Sequence, residues 1–92
     1  MTTRSEREGT MRVEQFYSKN QFIIYGDDGS RIFQSYTSLI ATITKDGAVT
    51  LDKGLWDYSK TTGKYRNKFL GETKADTERK IKSGEYTLAS LN

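Results

Sequence analysis

The sequence predicts an α+β fold: a small antiparallel β-meander of four to five strands followed by two helices packed on one face. Three observations carry this. Ninety-two residues make one domain. As far as residue 52 the apolar residues alternate and two Asp/Gly-rich turns separate them, the pattern of hairpins. Beyond residue 55 they recur at intervals of three and four, the period of a helix.

The elements follow in order. Residues 1–10, MTTRSEREGT, are polar, charged and aperiodic and read as a disordered tail, leaving 11–92 as a single α+β domain. RVEQFY is a first short strand. QFIIYGDDGSRIFQSY is a hairpin around Gly26-Asp27-Asp28-Gly29. SLIATITKDGAVTLD is a second hairpin, turning at Asp46-Gly47 and returning through Val49 and Leu51. Leu55, Tyr58, Thr62, Tyr65 and Phe69 then form one helical stripe, which Gly71 stops. SKTTG is poor helix material, because Ser and Thr compete with the backbone and Gly63 costs about 1 kcal/mol relative to Ala. A turn near Ser59, with the helix starting at Thr61 or Thr62, is the alternative. TKADTERKIKSG gives a second helix with Thr73 as N-cap, Asp76 three residues on and Gly84 as its stop. EYTLASL is a last extended segment with Tyr86 and Leu88 on one face.

Composition narrows the chemistry. The chain has no Cys and no His, so thiol and imidazole catalysis are excluded. Asp27, Asp28 and Asp46 sit where turns favour Asp for backbone reasons. Asp52 with Asp57 offers oxygen ligands for Mg²⁺, but two separated acids are a weak pattern. No catalytic constellation stands out, and the expectation is a protein that is not an enzyme and carries no cofactor. No apolar run is long enough to cross a membrane, and the N-terminus lacks the apolar core of a secretory signal, so a cytosolic protein is expected.

Charge is uneven. Residues 1–52 carry net −1, residues 53–68 net +4 and residues 69–92 net 0. A local basic stretch is the electrostatic footprint of a phosphate-bearing partner, although short Lys-rich helix faces are also common as plain solvated surface. TTGK, Thr61 to Lys64, resembles the end of a phosphate loop, but Tyr58 and Tyr65 stand where a Walker loop needs Gly and Ser or Thr, so nucleotide hydrolysis is rejected. The simpler physics remains. A helix starting near Thr62 directs free amides and hydroxyls one way, beside Lys60, Lys64 and Arg66. Among the aromatics, Tyr58, Tyr65 and Phe69 share the stripe expected to pack on the sheet, and Trp56 lies off it as a surface contact.

The run WDYSKTTGKYRNKFLGETKADTERKIKSGEYTLASLN, with FQSYTSLIATI and GAVTLDKG upstream, resembles a family of small uncharacterised bacteriophage proteins. The resemblance covers roughly Phe22 to Asn92 and carries no established activity. It implies a viral product in the cytoplasm of an infected bacterium. Tyr58, Ser59, Thr61, Thr62, Tyr65, Arg66 and Asn67 match the motif, and packing alone does not ask for such a set.

The expected function is therefore a non-enzymatic protein that binds a phosphate-bearing ligand, most simply nucleic acid, through residues 53–68. Lys60, Thr61, Thr62, Lys64, Arg66, Asn67 and Lys68 are the expected ligand contacts, with Trp56 and Tyr58 as aromatic contacts. The alternative is an antagonist of bacterial antiviral defence, either binding a defence protein in the manner of an anti-CRISPR inhibitor or sequestering a nucleotide signal. A homo-oligomer and a virion component are further expectations. No membrane partner is expected.

Overall fold

Alternating β-branched and aromatic residues between tight turns leave the first half of the chain few options besides consecutive hairpins. The structure is a computed structural model that describes residues 11–92, so the expected tail at 1–10 lies outside it. Strands β1 (Arg12–Phe16), β2 (Ser18–Tyr25), β3 (Arg31–Ser35), β4 (Ser38–Ile43) and β5 (Val49–Asp52) form the antiparallel meander. Helices α1 (Lys60–Leu70) and α2 (Lys74–Lys82) follow, then a short strand β6 (Thr87–Ala89). The α+β architecture is the expected one.

Register places one buried row across the sheet. Ile23 pairs with Phe33, Phe33 with Ala41 and Ala41 with Leu51, and all four are buried. Phe69 from α1 stacks on Phe33 with ring centroids 5.7 Å apart, and Phe16 meets both rings edge-on. Aromatic burial of this kind anchors the helix to the sheet.

The meander has five strands, within the four to five expected, and among the described residues the sheet gains a sixth. The EYTLASL segment was read as extended, but its pairing was not: β6 adds beside β5 in parallel, with Leu51 opposite Leu88. Parallel neighbours need a long crossover, and the two helices supply it. Asp52 then locks the chain end. Its carboxylate accepts from the Leu91 N–H (2.8 Å), the Asn92 side-chain amide (3.1 Å) and the Gly54 N–H (3.1 Å). Asn92 also exchanges two hydrogen bonds with the Leu39 backbone.

The break at Ser59 is the alternative that the fold adopts, with the helix starting one residue earlier than expected. Residues 53–59 are turns, and Ser59 caps α1 from an extended conformation, its hydroxyl accepting from the Thr62 N–H at 3.1 Å. Gly71 ends α1 at φ +70, and Thr73 and Asp76 form the expected capping box of α2. Because Tyr58 precedes the cap, the helical stripe does not reach it. Tyr58 is exposed, while Trp56, expected on the surface, is partly buried against the core.

Candidate functional site

The turn 53–59 and α1 together make a cleft of about 470 Å³, lined by Asp57, Ser59, Lys60, Gly63, Lys64, Arg66, Asn67 and Lys74. Four cations and one carboxylate surround it. Ser59 positions the first turn of α1, and the capping box of α2 brings Lys74 to the opposite wall.

Arg66 lies at the structural centre of this region. Its side chain is 1% exposed and is the largest fully buried one in the described residues. One guanidinium nitrogen donates to the Trp56 carbonyl at 2.7 Å and to Asp57 Oδ1 at 3.0 Å, and the other donates to Asn67 Oδ1 at 2.9 Å. The guanidinium also lies 5.1 Å from the Trp56 ring centroid, a cation–π distance. Gly63 lies beside it, and a Cβ there would meet both terminal nitrogens at 3.6 Å, an ordinary contact distance. Arg66 thus ties the turn to the helix. Its Nε has no partner among the described residues.

Asp57 answers two cations at once. Lys74 reaches its second oxygen at 2.7 Å. Partial burial opposes ionisation of Asp57, but hydrogen bonds from Lys74 and Arg66 outweigh it and hold the carboxyl below its ordinary value. One anion shared between two cations leaves positive charge over, and Lys60 and Lys64 add to it. Neither has a carboxylate within salt-bridge distance among the described residues.

The expected contacts therefore divide. Lys60, Lys64 and Asn67 line the cleft. Lys68 and Thr61 are exposed on α1 outside it. Arg66 lines the cleft too but is held by internal partners, and Thr62 lies beneath the surface, its hydroxyl 3.1 Å from that of Ser35. Trp56 packs beneath the Arg66 guanidinium, and Tyr58 is exposed but not part of the cleft lining. Sequence reasoning missed Lys74 and Gly63; a Lys in the first turn of the second helix, where an acid suits the dipole, is the signal that was present for Lys74.

The weak Mg²⁺ pattern separates in the fold. Asp52 serves the chain end and Asp57 serves Arg66 and Lys74, and no group of three metal-ligating side chains comes together among the described residues. No helix among them is long and apolar enough to cross a membrane.

A family described as one of unknown function, DUF8033, matches residues 5–85. Neither a curated protein nor a solved structure matches the chain.

Proposed function

The chain belongs to this family of unknown function, DUF8033, and from its geometry we propose that it is a non-enzymatic binding protein for a phosphate-bearing ligand, most simply nucleic acid. The charge pattern of α1 carries the reading. Lys60, Lys64 and Lys68 follow one another at every fourth position, about 6 Å apart along one exposed helix face. Like charges at this spacing each cost a few tenths of a kcal/mol. The first turn holds no acid to suit the helix dipole. The neighbouring helix is the internal contrast: α2 has Asp76 in its first turn and Arg79, Lys80 and Lys82 in its last. The contrast at the termini is partial, since Lys68 suits the C-terminal end of α1 and Lys74 opens α2; the row of three like charges on α1, with no acid in its first turn, is what suits a surface that meets anions.

Phosphates are the complementary chemistry. They meet the lysine row by Coulomb attraction and the cleft by its surplus positive charge. The bacteriophage setting and the host cytoplasm rest on the motif resemblance. Fluorescence anisotropy of a labelled oligonucleotide tests the function. Binding is expected to weaken steeply with salt and to vanish in Lys60→Glu/Lys64→Glu with circular dichroism unchanged. Binding that ignores both salt and these substitutions overturns the proposal.

A second reading has its own observation. A cleft of about 470 Å³ is within the usual size of a small-molecule site. A free nucleotide held there perturbs the fluorescence of Trp56, the single tryptophan, whose carbonyl is bonded to Arg66 at the cleft.

A further inference from the structure

Tyr17 breaks two local rules at once. It is 70% exposed, the most exposed large hydrophobic residue described, and its backbone sits at φ +69, where a bulky side chain is strained. The strain lies in the β1–β2 turn, next to the register shift at Gln15/Phe16. The turn is not loose. Phe16 is packed edge-on against Phe33 and Phe69, so the core fixes the position from which Tyr17 projects.

The fold brings α1 to that ring. Tyr65 lies with its centroid 6.4 Å from that of Tyr17, the planes tilted by 30°. Lys68 Nζ stands 4.7 Å from the Tyr17 centroid and Lys64 Nζ 5.5 Å from the Tyr65 centroid. No carboxylate of the described residues pairs with either lysine. Two rings and two ammonium groups thus share one surface, and Lys64 is common to it and to the cleft.

We propose that Tyr17 and Tyr65 form a stacking platform for unpaired bases, with Lys64 and Lys68 taking the adjoining phosphates, so that the ligand is single-stranded nucleic acid. A duplex hides its base faces, whereas a single strand presents them to the exposed Tyr17 ring and the half-buried Tyr65 ring beside it while its phosphates track the cations. Each ammonium group lies over its ring, so a stacking base displaces it toward the adjoining phosphate. The inference rests on the phosphate-binding reading and deepens it by naming the form of nucleic acid.

The test compares one labelled oligonucleotide, single-stranded and as duplex, against wild type, Tyr17→Gly and Tyr17→Phe. Glycine accepts φ +69, so this substitution removes the ring while suiting the backbone, and thermal unfolding checks the fold. The expected result is preference for the single strand, a loss of about tenfold in Tyr17→Gly on the single strand alone, and retention in Tyr17→Phe. If wild type binds both forms equally and Tyr17→Gly changes nothing, the platform is overturned and the phosphate reading stands. If wild type binds neither form, both fall. Binding of an acidic peptide through Tyr17, without binding of oligonucleotide, overturns both in favour of a protein interface.

Discussion

The Arg66 guanidinium holds the Asp57 carboxylate at 3.0 Å from a position 1% exposed to solvent. The only arginine of the basic stretch is thus an internal tie between turn and helix. Arg66→Ala leaves Asp57 and the Trp56 carbonyl without this donor and is expected to cost about 2 kcal/mol, the size of a lost charged hydrogen bond, since the part-exposed Asp57 keeps Lys74 as partner. Arg66→Lys does not restore the stability, because one ammonium cannot reproduce the planar fork that serves Trp56, Asp57 and Asn67 together. Urea unfolding at neutral pH measures both. A surface role instead leaves Arg66→Ala as stable as wild type.

The Ser35–Thr62 hydroxyl pair gives a sharper test of packing. Both side chains are fully buried and 3.1 Å apart, joining β3 to α1. Thr62→Val strands the Ser35 hydroxyl and is expected to cost about 1–3 kcal/mol. The double variant Ser35→Ala/Thr62→Val removes both polar groups and recovers most of that loss. A double-mutant cycle in urea reads the coupling, and additive losses contradict it.

Gly63 separates stability from function. An added Cβ meets Asp57 Oδ1 at 3.5 Å and the Arg66 terminal nitrogens at 3.6 Å, which is ordinary contact. Gly63→Ala therefore gains up to about 1 kcal/mol from helix propensity. The same methyl sits on a cleft-lining residue and is expected to weaken ligand binding. Thermal unfolding and anisotropy on one sample measure the two effects, which should move in opposite directions.

How much of this was legible in the sequence differs by element. The hairpins and the α2 capping box were readable because turn chemistry and caps are local. The start of α1 was ambiguous because Ser59 serves equally as a poor helix residue and as a good cap. That ambiguity misassigned Tyr58 and Trp56, whose burial depends on where the helix begins. The burial of Arg66 and Thr62 was not legible because a polar residue carries no mark of it. Their partners, Asp57 and Ser35, are nine and 27 residues away. Tyr17 was invisible because nothing in the sequence reports a positive φ. The pairing of β6 was hidden because a three-residue strand has no periodicity and finds its partner only after two helices have folded back.

Acid should loosen the fold at carboxylates that the structure keeps ionised. Burial opposes the charge on Glu72, but Lys80, Thr77 and Tyr86 all donate to it and bring its pKa below the ordinary value; Asp57 behaves alike, and Asp52 is lowered first by the Leu91 N–H. A lowered folded pKa contributes stability that is complete above the unfolded value, near pH 4, and is lost as pH falls through the folded one. Urea midpoints should be flat from neutrality to about pH 5 and drop below pH 4. Glu72→Gln should start lower and drop less.

The salt dependence of oligonucleotide binding tests the central claim most directly. On a single strand each phosphate contact adds about −0.7 to the slope of log K against log salt, so three lysines give roughly −2. Wild type is expected to show at least this slope, and Lys60→Gln/Lys64→Gln/Lys68→Gln to lose about two from it while remaining folded. The same slope in both proteins contradicts the account, for it places the ligand away from the lysine face of α1.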